Sequence, residues 1–397
     1  MQAGPLAGIR VVEIGQYGAA PLAAMLLGDY GADVVKVEPP QGDRYRTMPP
    51  FREGESLYFA GVNRNKRGAV LDLRRPEAKE ALHRLLAQAD VLLENFRPGV
   101  MDRLGLAVPA LLERHPRLVV CSISGYGQDG PLRDEGAYDL IVQGRSGMMA
   151  ATGEPDRAPV KLVPAVPDVL AAQQAAFAIL AALNARTTTG RGQHVDVALF
   201  DVSLYAHTLI YLPQMFGSGE PPRRLGSAHP EFVPNQAFRC ADDGWISTGA
   251  SDNRMWAGLC RVLGLDALIE DPRFATPVAR RDNAAALLPL VEAAFLTRPR
   301  DAWLALLRPE GVPASPVCTL AEAMESPQAS HRAMRQSVPH PTIGPMDTVG
   351  LPAKLGATPG SIRRAAPRLG EHTAEVLREA GLSDAEIAAL RAGPAAN

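Results

Sequence analysis

Through its first half the chain alternates short apolar runs with longer segments whose apolar residues recur at helical spacing. Ile9-Arg10-Val11-Val12-Glu13-Ile14 reads as a buried strand, Pro21 to Tyr30 as a helix with proline in its first turn, and Asp33-Val34-Val35-Lys36-Val37-Glu38 as a second strand. The pattern repeats: Ala69 to Leu73 precedes a helix from Pro76 to Ala87, and Val91 to Glu94 and Leu118 to Ser122 follow as strands. After Asp168 an Ala/Leu-rich helix runs to about Ala185. Thr189-Gly190-Arg191-Gly192-Gln193 then turns the chain into a strand from Val195 to Leu199 and a helix from Asp201. Strands separated by helices predict an α/β unit with a parallel sheet covered by helices.

The second half breaks this rhythm. Gly217-Ser218-Gly219-Glu220-Pro221-Pro222-Arg223-Arg224 has linker composition. Beyond it, Gln236 to Cys240 and Trp245 to Thr248, joined by Ala241-Asp242-Asp243-Gly244, read as a hairpin. Helices follow over Arg254 to Leu263, Asn283 to Phe295 and Pro299 to Leu307. Val338-Pro339-His340-Pro341-Thr342-Ile343-Gly344-Pro345 reads as a second connection. Glu371 to Ala380 and Ser383 to Ala392 read as closing helices, split at Gly381 and stopped by Gly393-Pro394. The expected organisation is a large domain over 1–200, a linker over 201–225, a small α+β domain over 226–315, a linker over 316–345, and a segment over 346–397 that completes the large domain.

Composition narrows the function classes. The 397 residues allow two or three domains, at about 150 residues each. Hydrophobic residues make up 46% and charged residues 21%, as in ordinary globular proteins. The formal net charge is -2 and no long basic run occurs, so the footprint of a nucleic-acid binder is missing. The four cysteines, Cys121, Cys240, Cys260 and Cys318, lie far apart without a CxxC pair, which argues against a zinc knuckle or a disulfide framework and fits a reducing cytoplasm. No export signal or membrane span is expected, because the start lacks a basic-then-apolar segment and polar residues interrupt the longest apolar stretches.

Familiar catalytic motifs are missing: there is no HExxH, no GxSxG and no Walker GxxxxGKS. Gly125-Tyr126-Gly127-Gln128-Asp129-Gly130 matches GxGxxG after a strand, yet Pro131-Leu132-Arg133-Asp134 follows where a dinucleotide site needs a helix N-terminus. The eight histidines include no pair at ligand spacing on one helix, so no metal site is expected. His83 and His115 read as solvated or locally bonded, while His229 and His372 lie in turn-like segments and either face a cleft or belong to local structure.

The arginines are informative by placement. Arg74-Arg75 and Asn95-Phe96-Arg97-Pro98-Gly99 follow expected strands, and parallel sheets bind ligands outside the carboxyl ends of their strands. Guanidinium forks suit phosphates and Phe96 suits an adenine face, so the cluster points to a phosphorylated, nucleotide-like ligand; singly, each arginine is equally a solvated surface charge. Asp168 opens the Ala/Leu-rich helix. Its position fits an N-cap, whose oxygen accepts from backbone N–H groups, and it also fits a carboxylate kept ionised by the helix macrodipole and available as a nucleophile.

In order, several segments carry a resemblance through nearly the whole chain. They are Leu6 to Val11, Gly31 to Glu38, Asn65-Lys66-Arg67, Glu94 to Gly99, Gly125-Tyr126-Gly127, Asp168 with its helix, Thr189 to Gln193 and Leu369-Gly370-Glu371-His372-Thr373. Together they resemble the class III CoA-transferase family (CaiB/BaiF type), which includes formyl-CoA:oxalate CoA-transferase and the related α-methylacyl-CoA racemases. The resemblance implies that Asp168 is a nucleophile that attacks an acyl-CoA thioester, gives a mixed anhydride and frees CoA thiolate, after which exchange with an acceptor carboxylate moves CoA to a new acid. It implies CoA contacts at Leu71, Arg74, Asn95, Phe96, Arg97, Arg103, Gly136, Ala137 and Tyr138, with Tyr17, Gly18 and Ala19 along the pantetheine path.

Oxyanion donors are expected at Gly226-Ser227-Ala228 and at the helix N-terminus after Asp168. The acceptor acid is expected near Ser227, His229 and Asn235, and His229, Asn235 and nearby arginines hint at a dicarboxylate. CoA thioester is then a substrate, with no permanently bound cofactor, metal, nucleic acid or membrane.

Two departures matter. Pro39 stands where the formyl-CoA enzyme has an arginine after its second strand, and the run of glycines in that enzyme's mobile loop is missing. Position 138 separates the branches: the racemases have histidine followed by aspartate, whereas this chain has Tyr138-Asp139, and a phenol with a pKa of about 10 is a poor base at neutral pH. CoA transfer from a donor such as succinyl-CoA is therefore favoured. A 2-methylacyl-CoA racemase with Asp252 as second acid, and a CoA-binding protein without chemistry, are the alternatives. The resemblance also implies a Rossmann-like large domain built from both ends of the chain and an interlocked homodimer.

Overall fold

The computed structural model describes residues 4–391, so Met1-Gln2-Ala3 and the expected Gly393-Pro394 helix stop lie outside the described residues. The chain divides into two compact units. One takes the chain up to Met148, Leu162–Gly217 and the part from Gln328 onward; the other takes Met149–Lys161 and Ser218–Pro327.

The first unit is built on six parallel strands, β1 (Arg10–Glu13), β2 (Asp33–Glu38), β3 (Lys66–Val70), β4 (Val91–Glu94), β5 (Val119–Ser124) and β6 (His194–Ala198). Their spatial order is β3-β2-β1-β4-β5-β6, the doubly wound order whose topological switch lies between β1 and β4. Successive residues alternate between two cores, as a pleated strand buried on both faces requires. Val11, Val34, Val91 and Val119 face one side, and Val12, Val35, Leu92 and Val120 the other.

Helices α1 (Ala19–Asp29) and α4 (Val166–Thr189) cover the first face. Ala19, Ala20, Ala23 and Ala24 meet Ala171, Ala172 and Ala175 there, so the two backbones approach closely. On composition and length alone α4 is the one helix among the described residues that suits a membrane span, with mean hydropathy 1.5. The second face is covered by α2 (Pro76–Leu86) and by the C-terminal helices, numbered below. Between β5 and α4 a short helix, α3 (Asp139–Arg145), begins just after Tyr138.

Several expectations shift. The third strand begins at Lys66, three residues before the apolar run that seemed to open it, because Lys66 and Arg67 are buried in ion pairs. The expected linker at 201–225 begins with helical chain, α5 (Leu199–Tyr205) followed by a helix over Tyr211–Ser218.

In the second unit β7 (Asn235–Arg239), β8 (Trp245–Gly249) and β9 (Ala314–Pro316) form an antiparallel sheet in the order β9-β8-β7. Its core gathers Phe238, Phe295, Trp256 and Trp303 from that sheet and from α6 (Asn253–Leu263), α7 (Ala284–Phe295) and α8 (Arg300–Leu307).

Back in the first unit, the Pro-rich stretch read as a connection is a β-hairpin, β10 (Arg335–His340) and β11 (Gly344–Val349), with Pro339 opposite Pro345. A two-stranded ribbon consists only of edges, so a proline whose nitrogen faces outward loses no ladder bond. His340 Nδ1 accepts from the Thr342 and Ile343 amides and holds the turn. The chain closes with α9 (Thr373–Glu379) and α10 (Asp384–Arg391). His372 straps this end to the edge strand: its Nδ1 accepts from Gly68 N and its amide donates to Gly68 O, so the edge of β3 is not open to another chain.

Candidate active site

The carboxyl ends of β1 and β4 flank the switch point, and one side chain joins them. Asn95 Oδ1 accepts from Gln16 N at 2.9 Å and its Nδ2 donates to Gln16 O at 2.8 Å. Asn95 thus grips the backbone of the loop that leads through Tyr17 and Gly18 into α1. Tyr17 takes a left-handed backbone, φ 63°, which is uncommon for a residue with a side chain.

Asp168 comes from far along the chain to this loop. It is the third residue of α4, whose N-cap is Ala165, so it caps nothing, and no hydrogen bond reaches its carboxylate among the described residues. The helix begins before the expected cap, with Pro167 in its first turn. A Cβ added at Gly18 would sit 3.5 Å from Asp168 Cγ and 3.6 Å from each oxygen, so the absence of a side chain leaves that face of the carboxylate clear.

Burial, and secondarily the nearby Asp139 carboxylate, push Asp168 up to about 6. Loss of water therefore raises the acid, yet a group near 6 is still mostly ionised at neutral pH. Above neutral pH Asp168 is nonetheless a carboxylate, and it lies where the first turns of α1 and α4 meet. In α4 the Val166 amide donates to Pro164 O and Pro167 has no N–H, so the first-turn amides left to face this region are those of Ala19 and Ala20 in α1 and of Asp168 itself.

The remaining expected residues fall in three groups. Leu71 is buried just past β3, while the exposed Arg74 is held bidentately by Asp72 at 2.8 Å. Phe96 packs on the second core, with its amide on Glu94, whose own carboxyl burial raises to about 7. Arg97 lies against Gly136, where an added Cβ would come within 3.0 Å of its Nη2, and Arg103 lies near Gly99. Neither Arg97 nor Arg103 has a carboxylate partner among the described residues. Arg97 lines a cavity of about 500 Å³ with Gly99, Met101, Gln128, Arg133 and His194. Ala137 packs so closely on Gly125 that a Cβ there would overlap it, and Tyr138 is largely exposed at the start of α3.

Ser227 and His229 lie in one loop of the second unit ahead of β7, and Asn235 is the first residue of that strand. Ser227 Oγ accepts from Ala237 N, His229 Nδ1 accepts from the Glu231 and Phe232 amides, and His229 N donates to Asn235 O. Two expected oxyanion donors are spent locally, since the Gly226 and Ala228 amides donate to Gly153 O and Leu225 O. Asp252, the opening for a racemase acid, caps α6 by accepting from Met255 N at 2.7 Å.

Asp43, Tyr45 and Tyr58 also lie beside this site, and no motif marks them. Tyr17 and Tyr45 meet edge to face at 5.4 Å, and Tyr45 stacks on Tyr58 at 5.6 Å.

Residues 6–373 match the family model described as CoA-transferase family III. The chain belongs to that family. It is 38% identical over 386 residues to succinate–glutarate CoA-transferase of Agrobacterium fabrum, covering 94% of this chain and 95% of that protein. It is 36% identical over 388 residues to acetyl-CoA:oxalate CoA-transferase of Acetobacter aceti, covering 96% and 97%. A CAIB/BAIF family protein from Brucella suis superposes with a TM-score of 0.84 at 37% identity, covering 96% of this chain and 100% of that one. The protein is thus a CoA-transferase: it moves CoA from an acyl-CoA to a carboxylic acid. The mixed α/β architecture with its six-stranded parallel sheet is that of its solved relative.

Proposed function

We propose that this transferase exchanges CoA between succinyl-CoA and a short dicarboxylic acid through covalent intermediates on Asp168. The observation that carries the reading is the Asp168 carboxylate itself, without a hydrogen bond among the described residues, clear on its Gly18 face and largely withdrawn from water. A partly desolvated carboxylate near pKa 6 is ionised at neutral pH and is more nucleophilic than a solvated one. Its oxygen attacks the thioester carbonyl, the C–S bond breaks, and CoA thiolate leaves a mixed anhydride. The thiolate then attacks the aspartyl carbonyl, releasing the first acid and leaving an aspartyl-CoA thioester. The acceptor carboxylate attacks that thioester, and the returning thiolate takes the new acyl group and frees Asp168. First-turn N–H groups of α1 and α4 supply the fixed donors that the developing oxyanions need.

The ends of β3 and β4 hold the CoA. Arg97 and Arg103 recognise its phosphates, because Arg74 is engaged by Asp72 and Pro39 offers no cation. Succinate in the name of the Agrobacterium relative supports a succinyl donor, and glutarate and oxalate in the two relatives' names support a dicarboxylate acceptor. The acceptor loop is the segment bearing Ser227, His229 and Asn235. The working form is an interlocked homodimer: Tyr205, Leu209 and Phe216, at 74%, 90% and 76% exposure, supply apolar surface of the kind a second copy covers.

Succinyl-CoA incubated with a panel of dicarboxylic acids should give new acyl-CoA with the wild-type enzyme and none with Asp168→Ala. Hydroxylamine added during turnover should inactivate the enzyme by capturing the acylated aspartate. Equal transfer by the alanine variant would overturn the reading.

A further inference from the structure

An aspartyl anhydride or thioester survives only while water is kept away, and the glycine-rich loop of the formyl-CoA enzyme has no counterpart here. The first unit carries another device beside Asp168. Asp43, fully buried, accepts through Oδ1 from two backbone amides, Tyr17 N at 3.1 Å and Tyr45 N at 2.9 Å. Those two bonds bring together the loop before α1 and the single turn Arg44–Thr47. The other oxygen, Oδ2, pairs with Lys36 Nζ at 2.9 Å.

Lys36 in turn pairs with Glu13, and Glu13 with Lys66, all fully buried. Burial alone would lower Lys36, but Glu13, Asp43 and Glu38 outweigh it and hold the lysine at about 12. The clamp is therefore anchored in the sheet and not on the surface.

What it clamps is aromatic. Tyr17 presents its edge to Tyr45, Tyr45 stacks on Tyr58, and Tyr45 rests on the cluster of Phe59, Val338, Ile343 and Met346 that the β10–β11 hairpin completes. Gly18, the residue after Tyr17, is the one that abuts the Asp168 carboxylate. Burial and then the Asp168 charge raise the Tyr45 phenol to about 12, as expected of a ring close to that carboxylate.

We propose that Tyr45 is the shielding residue of this transferase, excluding water from acylated Asp168, and that Asp43 is the positioning residue that holds Tyr45 and Tyr17 in place. The proposal rests on Asp168 as the acyl acceptor. The reaction it suppresses is hydrolysis: a water oxygen attacks the acyl carbonyl of the anhydride, the C–O bond to Asp168 breaks, and free acid and the aspartate carboxylate are released with protons. No CoA is then transferred for that turnover. A shield changes the partition between this route and transfer, whereas a residue that only supports the fold lowers both together.

The test measures both products from succinyl-CoA, free CoA without acceptor and new acyl-CoA with acceptor. Tyr45→Ala should raise the ratio of hydrolysis to transfer about tenfold. Tyr45→Phe, which keeps the ring, should stay near wild type, and Asp43→Ala should shift the ratio in the direction of Tyr45→Ala. If Tyr45→Ala does not fold, Tyr45→Val is read in its place. An unchanged ratio in the small-side-chain variant, with hydroxylamine still inactivating it, overturns the shield and leaves the covalent reading standing. Wild-type enzyme indifferent to hydroxylamine removes the covalent reading, and the shield with it.

Discussion

The two edges of the parallel sheet differ in how completely their charges are paired. At the amino edge, Arg10 pairs with Asp33 and Glu379, Arg67 with Asp33, Glu375 and Glu379, and Arg186 with Asp90. At the carboxyl edge Arg74 is paired with Asp72, but Asp168 has no hydrogen bond, and Arg97 and Arg103 have no carboxylate, among the described residues. Both edges are made of strand ends and loops from one short alphabet of residues. A charge left without a partner costs stability, and it is retained where a ligand or a reaction supplies the missing group. Pairing, more than residue type, separates the frame from the chemistry.

The largest effect should come from Asp168→Asn, which lowers transfer by about ten-thousandfold in steady-state assays. The same variant should be more stable than wild type by about 1–2 kcal/mol at pH 8 in urea unfolding. The direction follows from the raised pKa of about 6: whatever stability the protonated acid contributes is present below its ordinary range and lost as pH climbs through 6. The gain in the asparagine variant should therefore shrink on acidification. A variant that is less stable at pH 8 would show that the carboxylate has a partner and would erase the contrast between the edges.

At the amino edge, Arg67→Met should destabilise by about 2 kcal/mol, discounted for partly exposed carboxylates, because Asp33, Glu375 and Glu379 are left facing one another. KM for acyl-CoA should not change. Arg97→Met should do the reverse: KM up about tenfold, kcat unchanged and stability within about 0.5 kcal/mol. A large stability loss there would move Arg97 into the frame. The smallest effect is a shift in pH dependence. kcat/KM should rise with pH through about 6, and Asp139→Asn should move that inflection downward by removing the like charge.

Much of the first unit was legible because its strands are apolar on both faces and its helices are punctuated by proline and glycine. The misreadings occur where charge is buried. The apolar run begins at Ala69, but the charged Lys66 and Arg67 are the first residues of that strand. A signal was present: Glu13 and Lys36 are lone charges inside apolar runs, and the register of β1 and β2 places them opposite each other. The β10–β11 hairpin was hidden because proline usually marks a break, and only a two-stranded ribbon tolerates two of them opposite each other. At the site, Asp168 stood out as a lone acid at a helix start. Gly18, which lies against it, is 150 positions earlier in the chain, and nothing in the local pattern of Asp43-Arg44-Tyr45 marks a clamp.

The alanine seam between α1 and α4 has a kinetic consequence. Helices locked backbone to backbone by Ala19, Ala20, Ala23, Ala171, Ala172 and Ala175 cannot swing a short aspartate arm toward one partner and then another. On the proposed covalent route the carboxylate is an anvil, and the two acids take turns upon it. Initial rates measured against donor at several acceptor concentrations should therefore fall on parallel lines in a double-reciprocal plot, each acid competing with the other for one fixed seat.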